Sequence, residues 1–350
     1  MAADRKKKPT IRDIADLVGV HHSTVSRALD TEQRRKISPK VVREVEKAAQ
    51  KLGYTPNLAA SALRRNRSFA VGVLVPDITN PVFPPIIRGI QDVAEGEGYT
   101  VIISNTDDSR LKEQSAVQMM QGRAIEGMII ATAQLDDPTV DACIRNKLPL
   151  VMVNRTVQQS GVNAVIVDFD HGVRIALDHL RELGHTKIVH VAGPLGTSTG
   201  QTRAQAFEAY MKLHDLDGSM IESTEKYTIE EGRRACETLL AKGEEFTAIL
   251  AGNDLIALGC IDVLQERGID VPGAVSVIGG NDMPMLSRMV PALTSIRIPK
   301  YEMGFQAATI LFDAINGKDR DPLVIRLQPE LIVRGSTGPV SKLKQTKAAR

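Results

Sequence analysis

Residues 10–29 read Thr10-Ile11-Arg12-Asp13-Ile14-Ala15-Asp16-Leu17-Val18-Gly19-Val20-His21-His22-Ser23-Thr24-Val25-Ser26-Arg27-Ala28-Leu29. Thr10 stands where a helix cap belongs. Asp13, three residues on, fits the acid of a capping box and favours the positive end of a helix. Ile11, Ile14, Ala15 and Val18 then recur at helical spacing. Gly19 tolerates the left-handed backbone of a tight turn, and Val20 can plug the core beneath it. A second helix is predicted over 21–29. It puts Val25, Ala28 and Leu29 on one face and His22, Ser23, Ser26 and Arg27 on the other. Two short helices about a glycine turn predict a helix-turn-helix, whose second helix enters the major groove of DNA.

The residues that follow close this unit. Ser38 as N-cap, Pro39 at the first helical position and Gly53 at the end punctuate a third helix, with Val41, Val42, Val45, Ala48, Ala49 and Leu52 on its apolar face. Charge separates this head from the rest. Residues 1–67 hold 16 Lys and Arg against 7 Asp and Glu, a net +9, while the remainder holds 28 against 35, a net −7. The total of +2 therefore conceals a polyanion-binding head on an acidic body.

The 350 residues are too many for one average domain, and 43% hydrophobic with 25% charged residues is ordinary for a soluble chain. No run of eighteen apolar residues occurs, so no membrane association is expected. Arg5, Lys6, Lys7 and Lys8 lead into no apolar segment, so no secretory signal is expected either. Cys143, Cys236 and Cys260 are odd in number and far apart, which suits reduced thiols in the cytoplasm and no metal site. No cofactor is expected.

Residues 20–29 and the stretch Gly53-Tyr54-Thr55-Pro56-Asn57 through Leu63 together resemble the LacI/GalR family of repressors. The pair is specific, because a helix-turn-helix alone is shared by many regulators. The resemblance implies that His22, Ser23 and Arg27 read bases, Arg27 having the chemistry to bond guanine O6 and N7. It implies that Thr24 and Ser26 hold phosphates, with Thr10 and His21 completing the DNA-facing set. His21 departs from the Ser usual at that cap. Asn57 and Ala60 would face the minor groove, and Leu63 would wedge into the central base step and kink the duplex. This hinge is short, Ala-rich and basic. Isolated helices below about 12 residues are marginal in water, so it is expected to fold only on the operator.

In the body, apolar runs at 70–75, 101–104, 127–131, 150–153, 165–167, 188–191, 248–251 and 275–278 alternate with helical stretches such as 82–95, 114–121, 172–183 and 255–267. Continuous apolar strands alternating with helices predict parallel sheets covered on both faces. There are too many units for one sheet, so two α/β subdomains with a cleft between them are expected. Ligands of such sheets lie beyond the carboxyl ends of the strands. Landmarks there resemble the periplasmic-binding-protein-like body of LacI-type regulators: Asp77–Phe83, Asn154-Arg155, Arg203 beyond Gly193-Pro194-Leu195, Asn253-Asp254, Gly279–Asp282 and Arg334–Thr337.

By that resemblance Asn80, Phe83, Arg203, Tyr227, Asn253 and Asn281 form the effector shell, with Thr199, Asp168 and Arg155 behind them. Arg203 offers a fork of donors to hydroxyls or a carboxylate, and Phe83 and Tyr227 supply apolar walls or, equally, core packing. Asn253 could instead serve as a loop cap. Asn281 replaces the Asp that most sugar-binding members carry, which removes a negative charge and suggests an effector bearing a carboxylate or phosphate, such as a sugar acid.

The expected organisation is a helix-turn-helix domain over 8–56, a hinge helix and linker over 57–67, an effector-binding and dimerisation body over 68–337, and a flexible basic tail over 338–350. The tail is Lys-rich and lacks heptad leucines, so a homodimer is expected rather than a coiled-coil tetramer. The expected function is repression at a pseudo-palindromic operator under the control of a small polar metabolite. Enzyme readings are weak. Residues 193–200 resemble a phosphate cradle but lack the Gly-Lys-Ser/Thr of a P-loop, and neither G-x-S-x-G nor H-E-x-x-H occurs. The stronger rival is a solute-binding protein without a DNA role, which the basic head argues against.

Overall fold

The computed structural model describes residues 9–30, 33–54, 67–158, 161–318 and 321–340. The chain divides into two compact units, Met1–Ser68 and Phe69–Arg350.

In the first unit, α1 (Ile11–Val18), α2 (His22–Ala28) and α3 (Pro39–Leu52) enclose a small core of Ile14, Ala15, Val25, Ala28, Val45, Ala48 and Ala49. The local chemistry sets each boundary. Thr10 and Asp13 form a reciprocal capping box, with the Thr10 amide donating to Asp13 at 2.7 Å. Gly19 and Gly53 end α1 and α3 at φ 72° and 64°, the left-handed region that costs glycine nothing. Ser38 caps α3, Pro39 follows at its first position, and Val20 packs against the core below the turn. Asn57, Ala60 and Leu63 of the expected hinge lie outside the described residues.

The second unit contains two six-stranded sheets. The first is ordered β11-β5-β4-β3-β1-β2, from β1 (Ala70–Val75), β2 (Thr100–Asn105), β3 (Gly127–Ile130), β4 (Leu150–Val153), β5 (Asn163–Val167) and β11 (Val324–Leu327). The second is ordered β12-β10-β9-β8-β6-β7, from β6 (Ile188–Ala192), β7 (Ile221–Ser223), β8 (Ala248–Ala251), β9 (Ser276–Asn281), β10 (Thr294–Arg297) and β12 (Glu330–Ile332). All pairings are parallel except β10 with β12. The eight apolar runs in the sequence fall on β1–β6, β8 and β9. The four strands that periodicity did not single out, β7 and β10–β12, are three or four residues long, and three of them are edges.

Each sheet is buried on both faces, which is why its central strands read as unbroken apolar runs. Val71, Val73 and Val75 of β1 face one core with Ile86, Ile90, Ala307 and Leu311, while Leu74 faces another with Met120, Val140 and Met152. The covering helices here are α4 (Phe83–Gly96) and α11 (Lys300–Ile315) on one side, α5 (Arg110–Gly122) and α6 (Pro138–Arg145) on the other. In the second sheet α9 (Ile229–Ala241) and α10 (Asp254–Glu266) cover one face, α7 (Phe169–Glu182) and α8 (Ser198–Leu213) the other.

The chain crosses between the sheets after β5, after β10 and after β11. In both, strand order reverses beside an inner strand, β1 in the first and β6 in the second. Loops leaving adjacent strand ends therefore diverge there and open a crevice. Among the described residues no helix is long and apolar enough to cross a membrane.

Candidate functional site

Two sites emerge, one in each unit. On α2, His22 and Arg27 are exposed and Ser23, Thr24 and Ser26 are half-buried, opposite the buried Val25 and Ala28. His21 is the N-cap. The Ser23 amide donates to its Nδ1 at 3.4 Å, and the Ser23 hydroxyl lies 2.8 Å from the same atom. An amide can only donate, so Nδ1 accepts and the ring proton sits on Nε2. The imidazole thus does the work expected of a capping hydroxyl. It also draws on Ser23, one of the residues expected to read bases. The His21 and His22 rings lie 4.0 Å apart, tilted by 45°. This helix presents donors and acceptors on one side and a packed apolar anchor on the other, which is what groove entry requires.

In the second unit, loops leaving the carboxyl ends of both sheets meet around a cavity of about 210 Å³ that opens to solvent. Asn80, Phe83, Arg155, Thr199, Arg203, Tyr227, Asn253 and Asn281 all line it. Asp168 does not line the cavity. It caps α7 by accepting from the His171 amide at 3.0 Å, and Gln328 donates to its other oxygen at 3.0 Å. The residue that follows this strand starts a helix, with one carboxylate oxygen on the cap and the other on Gln328.

Each lining side chain is held by local structure. Asn80 turns its side-chain oxygen to the Val82 amide at 3.2 Å. Phe83 opens α4, is 2% exposed, and belongs to the core as well as to the cavity wall. Arg155 is buried, donating to Asp108 at 2.7 Å and to the Thr132 carbonyl at 3.3 Å. The Thr132 hydroxyl in turn bonds Glu113, whose carboxyl burial pushes up to about 7. Thr199 and Tyr227 share a hydrogen bond of 3.0 Å. The Tyr227 ring lies over Gly193, where a Cβ would fall 2.2 Å from it, so glycine is what lets the ring approach.

Arg203, on α8, is 7% exposed, and its guanidinium carbon lies 3.8 Å from the centre of the Phe169 ring. Burial lowers its pKa, and Tyr227 and Asp254 nearby oppose this. Asn253 is both cap and wall. Its oxygen accepts from the Ile256 amide at 2.9 Å to start α10, yet the residue lines the cavity. Asn281 ends β9 at φ 100°, and Lys300 donates to its carbonyl and to that of Asp282. Asp254, behind Asn253, is fully buried and accepts from Ser295 at 2.6 Å and the Met283 amide at 2.8 Å. Burial pushes its carboxyl up to about 7.

The cavity is also lined by Asp77 and Asn154, strand-end landmarks in the sequence, and by Asp107, Asp108, Lys226 and Thr228, which the sequence does not single out. Asp107 and Asp108 follow β2, both with positive φ. The strand-end rule that pointed to the other loops reaches this one too, since β2 ends two residues earlier.

Comparison with known proteins finds a family match in each unit. Residues 10–57 match bacterial regulatory proteins of the lacI family, and residues 177–337 match a periplasmic binding protein-like domain. The chain is 31% identical over 340 residues to the HTH-type transcriptional repressor CytR of Escherichia coli (strain K12), covering 96% of this chain and 98% of that one. It is 29% identical over 328 residues to the ribose operon repressor of Halalkalibacterium halodurans, covering 94% and 97%. Its fold superposes on a lac repressor dimer bound to operator and the anti-inducer ONPF with a TM-score of 0.85 at 26% identity, covering 95% of this chain and all of that one. A helix-turn-helix head and a two-sheet, cleft-bearing body define an effector-regulated transcription factor. The chain belongs to the LacI family of bacterial regulatory proteins and is a DNA-binding transcriptional repressor, not an enzyme.

Proposed function

We propose that this repressor acts in the cytoplasm as a homodimer on a pseudo-palindromic operator, and that a small polar metabolite held between its two subdomains sets its affinity for that operator. The carrying observation is the convergence of eight side chains, drawn from loops and helices at the strand ends of both sheets, on one cavity. A ligand touching both sheets binds one relative arrangement of the subdomains better than another, and only that difference can shift an equilibrium. The mixture of amides, hydroxyls, arginines and aromatic walls suits a compact, hydroxylated molecule. Relatives of this fold have been solved with ribose and with cellobiose, which supports a sugar-like class.

On DNA, His22, Ser23 and Arg27 read base edges, while Thr10, His21, Thr24 and Ser26 position the head on phosphates. Two recognition helices related by a two-fold axis lie about 34–36 Å apart, one duplex turn, or a multiple of it. Asn57, Ala60 and Leu63 complete the contact at the centre of the site. Selection from a random duplex pool at a stated salt concentration tests this. An enriched inverted repeat with a deformable central step is the expected result. An enriched single half-site without a mate would remove the dimer, and no enrichment with or without a metabolite mixture would remove the operator assignment.

A further inference from the structure

Resting on the effector reading above, we infer that the cleft ligand carries an anionic group, a carboxylate or a phosphate, and that Arg203 is the residue that receives it. The argument is a charge inventory of the cavity wall. Three carboxylates line it, and two are already paired: Asp108 with Arg155 at 2.7 Å, and Asp107 with Lys112. Asp77, half-buried, spends one oxygen on the Thr79 amide and hydroxyl, at 2.9 and 2.7 Å.

Among the cations, Arg155 is consumed by Asp108, but Arg203 is not matched. No carboxylate lies within ion-pair distance of it among the described residues, and its neighbours are the Phe169 ring and the Tyr227 hydroxyl. Asp254, the carboxylate that bears on it, lies outside ion-pair distance, is fully buried, and already accepts from the Ser295 hydroxyl and the Met283 amide. At the end of β9 the cavity wall offers the neutral amide of Asn281. Lys226, exposed on the rim of the same cavity, is the other cation there, and Asp107 and Glu231 feel its charge.

A desolvated guanidinium without an anion is costly, and a ligand that supplies the anion relieves that cost on binding. Arg presents a planar fork of donors matched to the two oxygens of a carboxylate or phosphate, and such charge-assisted pairs are about twice as strong as neutral ones. The remaining wall of Asn80, Thr199, Asn253 and Asn281 is polar but neutral, which suits hydroxyls on the same molecule.

The test is calorimetric titration of the full chain with D-gluconate, glucose 6-phosphate, inorganic phosphate and glucose, repeated on Asn281→Asp. The expected result is that gluconate or glucose 6-phosphate binds at least about 10-fold more tightly than glucose, and that Asn281→Asp erases this preference. Which of the two is favoured separates carboxylate from phosphate, and inorganic phosphate alone shows whether the anion suffices. Glucose binding as tightly as the acids overturns the inference and leaves the effector reading intact. If no probe binds, the ligand-free thermal midpoint of Arg203→Met decides. An uncompensated buried cation makes that variant more stable than the natural protein, and an unchanged or lowered midpoint overturns the inference. An anion that binds the cleft without changing operator affinity leaves the inference standing and removes the allosteric reading.

Discussion

Arg27 projects from an exposed position on α2, while its neighbours Val25 and Ala28 fill the core. Replacing it by Ala should leave the head folded, weaken operator binding by about 1–3 kcal/mol and relax preference at one base position. Anisotropy titrations against single-base operator variants check this. A loss that is uniform across sequences, with a shallower salt dependence, would make Arg27 a phosphate contact instead. His190 is the opposite kind of residue. It sits fully buried on β6, stacked 5.3 Å from Phe207, with Nδ1 donating to the Leu250 carbonyl at 2.8 Å and Nε2 unpartnered. Burial pushes its pKa down to about 4 from 6.5. The unfolded chain therefore binds a proton that the folded one refuses, and stability is lost as pH falls from about 6.5 toward 4, by up to roughly 3 kcal/mol. Glu113 and Asp254, raised to about 7, act in the opposite sense over that range, so the comparison must be between variants. Urea melts of the natural protein and His190→Met should diverge on acidification, with the variant gaining. Parallel curves would mean the imidazole is hydrated in solution.

Helices show a repeated device. In the first subdomain α4 and α11 touch through Gly89 and Gly304, where an added Cβ would fall 2.2 Å from the Tyr301 carbonyl and 1.9 Å from that of Ile86. In the second, α9 and α10 do the same through Gly232 and Gly259, at 2.3 Å from the Ile256 carbonyl and 2.1 Å from that of Ile229. The contact is backbone against backbone, so no side chain can swing aside. Gly304→Ala and Gly259→Ala should each cost about 1–3 kcal/mol in denaturant melts, whereas Gly96→Ala, which meets nothing, should not destabilise. Nothing in the local sequence marks these glycines, because the pattern does not say which helix faces which. Caps are the reverse case. Thr10, Ser38, Gly19 and Gly53 act within three or four residues of themselves, so their roles were legible before any tertiary contact was known.

The subdomains also touch directly beside the cavity. The Leu135 amide donates to the Gly196 carbonyl at 3.2 Å, and the Thr156 amide to the Ser198 hydroxyl at 2.9 Å. Ser198 immediately precedes the cavity residue Thr199 on α8. Removing its hydroxyl leaves the Thr156 amide without its partner in this arrangement, at a cost of about 1 kcal/mol. Ser198→Ala should therefore weaken an effector that favours this arrangement by about 5-fold, measured by titration. An unchanged Kd would show that the contact does not report on ligand binding.

What could be read from the chain alone was whatever depends on near neighbours. The capped helices of the head, the apolar central strands, and the polar residues just beyond those strands all carry their signal within a few positions. Eight of the nine expected cleft residues line one cavity, and the ninth, Asp168, lies outside that lining and caps its own helix. The short edge strands β7, β11 and β12 were missed because half-exposed strands of three or four residues bury too little to enforce a pattern. The balance of charge in the cleft was beyond sequence altogether. That Arg155 meets Asp108, while Arg203 meets no carboxylate among the described residues, depends on which strand-end loops the fold brings together, and only the folded chain decides that.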